Sequence, residues 1–210
     1  MIPAAQPIRL RERQTAATRQ HIIDVAMDFL REPEQESFSH EAIAHRAGMG
    51  TRTVYRHYPH RADLMQALWE RVREETKTRF PAVEADILPL VREAFGNFNE
   101  HEALVRAANA SSASNELRAR GSLEGRPAFR KSLAKILTGL PSKAQRRVVA
   151  VTLAIWSAPF WQILRDRGEL SGEEAQEAGV WAMETILNAA RGEAAMPRHS
   201  PMQGKGKRAL

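Results

Sequence analysis

The sequence predicts an all-α chain: a small N-terminal three-helix unit followed by a larger helical body. Three observations predict it. Apolar residues recur at spacings of three and four through most of the chain, the period of a one-sided helix. No stretch shows the two-residue alternation, bounded by turns, that marks a half-buried strand. Glycine and proline cluster between the periodic segments instead of interrupting them. With 210 residues, 43% of them hydrophobic, there is enough apolar surface to build a core.

The elements follow in order. Thr15 or Thr18 can cap a first helix, whose stripe is Ile22, Ala26, Phe29 and Leu30 and which ends near Glu32-Pro33. Ser39 can cap a second, short helix over 40–47, with Ile43, Ala44 and Ala47 inward. Gly48 suits the left-handed position just past its end. A third helix spans 51–57 and stops before Pro59, because a residue preceding proline is pushed out of helical geometry. A fourth, 61–79, carries Leu64, Leu68 and Val72 on one face, and Pro81 marks the boundary of the body. Beyond it the pattern predicts helices over 82–99, 101–118, 127–138, 142–167 and 172–191. The breaks fall at Gly121, Gly125 to Pro127, Gly139 to Pro141 and Gly168 to Gly172. This divides the chain into an arm (1–14), a helix-turn-helix unit (15–60), a connecting helix (61–80), a helical body (81–192) and a basic, disordered tail (193–210).

Composition removes several function classes. The chain has no cysteine, which excludes disulfides, thiolate metal sites and a cysteine nucleophile. Residues 1–14 are polar and arginine-bearing, unlike a secretory leader. No apolar run reaches the ~18 residues of a membrane span. A cytoplasmic protein without membrane contact is expected. There is no glycine-rich phosphate loop, no His-Glu-x-x-His and no Gly-x-Ser-x-Gly. His57 and His60 straddle Pro59, a poor arrangement for a shared metal. The expectation is therefore a non-enzyme with no catalytic residue, metal or cofactor.

The net charge of +6 is unevenly placed. Acids and bases balance over 81–190, so the excess lies toward the two ends. Between 37 and 61, Arg46, Arg52, Arg56 and Arg61 face only Glu41. Residues 46–61 read RAGMGTRTVYRHYPHR, without one acid. Two short helices joined at a glycine turn form a helix-turn-helix pattern. With Val54 facing the core, helical rotation of roughly 100° per residue turns Arg52 and Arg56 straight outward and sets Thr53, Tyr55 and His57 on the flanks. Such side chains donate to phosphates and base edges, and arginine pairs bidentately with guanine. A solvated helix ordinarily mixes signs; this face does not, which points to double-stranded DNA as a partner.

The stretch SFSHEAIAHRAGMGTRTVYRHYPHRADLMQAL, 37–68, resembles the signature of TetR-family (tetracycline-repressor-like) transcriptional regulators. Ile43-Ala44, Ala47-Gly48, Thr53-Val54-Tyr55-Arg56-His57-Tyr58, Pro59, Arg61 and Leu64 stand at the family's positions, and TRQHIIDVAMDFL from Thr18 resembles its first helix. The resemblance covers about residues 15–70. It implies a homodimeric repressor, released from a near-palindromic operator by a small-molecule effector. It also implies DNA contact by Ser39, Thr51, Arg52, Thr53, Tyr55, His57 and Arg61, to which the outward turn of the helix adds Arg56. Arg52 and Thr53 would be the base readers; Tyr55, His57 and Arg61 would hold phosphate. Two positions depart from the pattern: Gly50 replaces a capping serine, and Arg61 replaces the commoner lysine. Arg9, Arg11 and Arg13 either reach an adjacent minor groove, as basic arms do, or form a solvated tail.

For the body the resemblance implies a dimer built by the last two long helices. Ala175, Ala178, Ala182, Thr185 and Ala189 repeat at 3–4 spacing and would allow close helix approach, either between subunits or within one core. Phe95, Phe98, Trp156, Phe160 and Trp161, with Asn99 and Gln162 as polar handles, either line an effector pocket or are plain core. Pro159 is read as a mid-helix kink between the two tryptophans. The balanced charge of the body suggests a small, neutral or weakly polar apolar effector. A ligand-binding helical protein that merely retains the N-terminal unit is the remaining rival.

Overall fold

The protein, seen as a computed structural model, is described over residues 10–31, 38–111 and 113–195. Eleven α-helices and no strand occur among the described residues. They are α1 (Leu10–Arg31), α2 (His40–Arg46), α3 (Thr51–His57), α4 (Arg61–Glu75), α5 (Ile87–Glu100), α6 (Glu102–Ala110), α7 (Ser114–Ser132), α8 (Ala134–Thr138), α9 (Ser142–Ile155), α10 (Ala158–Asp166) and α11 (Gly172–Ala195). A 3-10 turn, Glu84–Asp86, precedes α5.

The first core is made by α1 to α4. Ile22, Ala26, Leu30, Ile43, Val54, Leu64 and Leu68 are all buried there, each large aliphatic contributing about 1.5–3 kcal/mol. The same core takes in Leu104 of α6, Leu117 of α7 and Ala113 just before α7, so the N-terminal unit shares apolar surface with the body. Ser39 caps α2 by accepting from the Ala42 amide at 3.1 Å. Gly48 follows α2 at φ +64°, a left-handed conformation that suits glycine. Thr15 and Thr18 do not cap α1. Both lie within it, their hydroxyls donating to the carbonyls of Arg11 and Gln14 four residues earlier. Arg11 and Arg13 are therefore helical; Arg9 and the tail beyond 195 lie outside the described residues.

The second core joins α5, α7, α8, α9, α10 and α11 around Ile87, Phe95, Phe129, Trp156 and Trp161. Two expectations are corrected here. α7 runs through Gly121, Gly125 and Pro127 instead of breaking at them. A Cβ at Gly121 would stand 3.0 Å from the Trp69 ring, and one at Gly125 would stand 2.8 Å from Leu153 and Phe80. Both glycines let bulky neighbours close against the helix. The stretch 142–167 is two helices, α9 and α10, bent by 60°. Pro159 sits in the first turn of α10, where its missing N–H costs nothing, and Ser157 caps that turn. No single helix among the described residues is long and apolar enough to cross a membrane.

The small residues of α11 divide between two sides of the helix. Ala175 is fully buried in this chain's own core, and Ala182 is half-buried. A Cβ at Gly179 would lie 2.5 Å from Phe95, so the close helix approach is α11 on α5, inside the chain. Ala178, Thr185 and Ala189 lie on the other side of α11, with Trp181, which is 69% exposed.

Candidate nucleic-acid interface and helical cavity

The orientation of α3 follows from Val54 and Tyr58, both buried in the first core. Three side chains clamp the helix from outside it. Arg19 of α1 donates to the His57 carbonyl at 3.0 Å and lies 4.6 Å from the centroid of the Tyr58 ring. A ring nitrogen of His40, at the start of α2, lies 2.9 Å from the Tyr58 carbonyl. That satisfies backbone oxygens at the end of α3, which has no further turn of amides to donate to them. The His40 ring also stacks on Tyr55, centroids 4.4 Å apart and nearly parallel, and the Tyr55 hydroxyl donates to Glu41 at 3.0 Å.

The outward side of α3 then carries Arg52 and Arg56, both exposed and without a hydrogen bond or ion pair among the described residues. Thr51, Thr53 and His57 are half-buried at its edges, and Ser39 lies at the start of α2. Burial, then the Arg56 and Arg19 charges, hold the His57 imidazole below its ordinary pKa. The hydrogen bond from its own backbone amide, then that from Tyr55, hold the Glu41 carboxyl below the usual carboxylate range; the Glu41 bond in turn raises the Tyr55 phenol.

Arg61 is placed differently from the other proposed contacts. Its Nε and Nη2 donate to the Glu116 carboxylate of α7 at 2.9 and 2.7 Å, and Nη1 donates to the Phe38 carbonyl. Its guanidinium is already bidentate with a carboxylate 55 residues away, which spacing along the chain does not reveal. His40 and Glu41 were not singled out as positioning residues either. A histidine at a helix start beside a tyrosine-bearing helix is a weak signal without the fold.

A scan of protein-family models matches residues 22–68, from the middle of α1 to the middle of α4, to bacterial regulatory proteins of the tetR family. Residues 22–68 form a tetR-family DNA-binding domain, which makes the chain a DNA-binding transcriptional regulator. No curated protein matches this regulator. The matched span holds the helix-turn-helix and excludes the body, whose arrangement rests on its own geometry.

Within the body of the regulator a cavity of about 610 Å³ opens between α4, α7 and α9. Its volume falls inside the roughly 300–1,000 Å³ range of small-molecule sites. Of the aromatic set named from the sequence, Phe98 and Trp156 line it; Phe95, Phe160 and Trp161 do not. Phe95 and Trp161 are fully buried core residues. Trp161 donates its indole N–H to Asn99 at 2.8 Å, and Asn99 donates to the Gly172 carbonyl at 2.9 Å, so Asn99 is a core tie. Trp69 and Phe80, which line the cavity, are the aromatics missed.

Helices α4 and α7 are joined along their length. Besides Arg61–Glu116, Glu124 of α7 accepts from the Trp69 indole at 3.0 Å and from Arg73. Both helices therefore line the cavity and are cross-linked at its wall.

Proposed function

We propose that the regulator is a homodimeric repressor that holds a near-palindromic operator and leaves it when a small molecule fills the cavity between α4, α7 and α9. The observation that carries this reading is Trp69. It lines the cavity and is hydrogen-bonded to Glu124, on the helix whose Glu116 grips Arg61 at the start of α4, next to the reading head. A ligand that pushes Trp69 loads α4 and α7, and α4 follows α3 directly in the chain. For the effect to be regulatory, the ligand must bind the released arrangement better than the DNA-bound one.

In this reading Arg52 and Thr53 meet base edges, while Ser39, Thr51, Tyr55, Arg56 and His57 hold phosphates. Arg61 serves as a strut between head and body instead of a free phosphate contact. The dimer uses the outward side of α11: Ala178, Thr185 and Ala189 around the exposed Trp181. Two heads on a two-fold axis then reach major grooves about one turn, roughly 34 Å, apart.

The test is fluorescence anisotropy with DNA enriched by the protein from a random pool, across a salt series, with scrambled DNA as control. Tight binding to a near-palindrome that weakens steeply with salt is the expected result. Equal, weak binding to both DNAs would overturn it. Sedimentation of Trp181→Arg alongside the wild type tests the interface; the wild type should sediment as a dimer and the variant as a monomer.

A further inference from the structure

The cavity sorts charge in a way that the neutral composition of the body hides. Its wall is apolar, with Phe98, Val105, Leu117, Val149, Leu153 and Trp156. Its remaining lining includes four arginines: Arg118, Arg126 and Arg130 on α7 and Arg146 on α9. No acidic side chain and no lysine among the described residues lines it. On α7, Arg118, Ser122, Arg126 and Arg130 recur every four residues, which places them on one ridge of the helix. The two α7 carboxylates, Glu116 and Glu124, are turned to α4 and engaged there. One helix thus sends its acids to one neighbour and three of its four guanidiniums to the cavity.

The arginines are unneutralised. Arg126, Arg130 and Arg146 are exposed and have no hydrogen bond or ion partner among the described residues, and Arg118 donates only to the neutral oxygens of Ser114 and Asn115. Elsewhere in the body Arg106 and Arg165 are matched to carboxylates. Four like charges around one apolar opening repel each other and raise the local concentration of an anion.

We propose that the ligand of this cavity is an amphipathic organic anion: a hydrocarbon chain lying against the apolar wall, with a carboxylate or phosphate head paired to the arginines at the mouth. Guanidinium suits either head, since its planar fork donates two parallel bonds to both. This rests on the reading of the cavity as the effector site. It replaces the neutral effector that the charge balance of the body suggests, because folding gathers cations that are spread from 118 to 146 in the chain.

The experiment is calorimetric titration of the full chain with decanoate, decyl phosphate, decan-1-ol and decyltrimethylammonium, below their micelle-forming concentrations. The anions should bind at least about tenfold more tightly than the alcohol, the worth of one charge-assisted hydrogen bond, and the cation least. A tighter decyl phosphate than decanoate assigns a phosphate head; the reverse assigns a carboxylate. The triple variant Arg126→Gln, Arg130→Gln, Arg146→Gln should lose that preference and still bind the alcohol as the wild type does. Arg120→Gln, on α7 but outside the lining, should change nothing. Equal binding of acid and alcohol, or a preserved preference in the triple variant, would overturn the anion while leaving the cavity an effector site. If none of the four binds while operator binding is intact, the effector reading of the cavity falls with it.

Discussion

The reading head and the body use arginine on opposite kinds of support. In the head, Arg52 and Arg56 stand on a helix whose inner side is packed solid, with Val54 sealed in the first core. In the body, Arg126, Arg130 and Arg146 stand around a void of about 610 Å³. The solid support holds cations at fixed spacing, which suits a stiff target whose grooves have a set pitch. The hollow one leaves an apolar space behind the cations, which suits a guest that brings its own hydrocarbon. Cation identity is the same in both; what lies beneath it distinguishes the proposed DNA face from the proposed ligand mouth.

The difference can be broken most strongly at the solid end. Ile43→Ala, at a fully buried position, should cost about 2–5 kcal/mol in denaturant unfolding. Leu153→Ala, at the cavity wall, should cost well below that range, because its side chain is only half-buried and already borders empty space. Similar losses at the two sites would erase the distinction. Next in size, Arg52→Ala should cost about 1–3 kcal/mol of operator affinity and relax preference at one base position, read by anisotropy on single-base variants of the operator.

Smaller effects test the joint between the regions. Glu116→Gln removes the charge that holds Arg61. Both side chains are about two-fifths exposed, so the stability change should stay under about 1 kcal/mol. Operator affinity should persist, while release by ligand weakens; unchanged release would remove Glu116 from the coupling. Smallest is the pH effect of His57. Its pKa is lowered in the free protein by burial and by Arg56 and Arg19, so the ring is neutral at and above pH 7. Phosphate contact favours the charged ring, hence binding takes up a proton and affinity should rise severalfold as pH falls below the ordinary histidine range of about 6.5. His57→Gln should flatten that slope.

The head was more legible in the sequence than the body, for a physical reason. Its helix bounds depend on local chemistry: Ser39 accepting from Ala42, Gly48 in the left-handed conformation, Pro59 after α3. Each acts within a few residues. In the body the same residue types answer to distant neighbours. Gly121 and Gly125 resemble helix breakers until Trp69, Leu153 and Phe80 arrive to fill the space. Pro159 reads as a kink until the chain turns at Trp156-Ser157. The site divides likewise. The outward turn of Arg52 and Arg56 follows from helical period alone, whereas the pairing of Arg61 with Glu116 needs the tertiary fold. One local signal was passed over: Ser171 and Glu174 bond each other's amides at 2.7 and 3.2 Å, a Ser-x-x-Glu box that opens α11.

The glycines and proline of α7 have a thermodynamic consequence of their own. In isolation each interior glycine costs a helix about 1 kcal/mol relative to alanine, and the proline about 3 kcal/mol. A segment so composed has little tendency to coil on its own, and it stays ordered through its neighbours' grip. Loosen that grip and α7 should be among the first stretches of the body to exchange its amide hydrogens with solvent, ahead of α5 and α11. The wall that carries the arginines would then also be the least cooperative part of the body, and a guest that braces it would register as slowed exchange there.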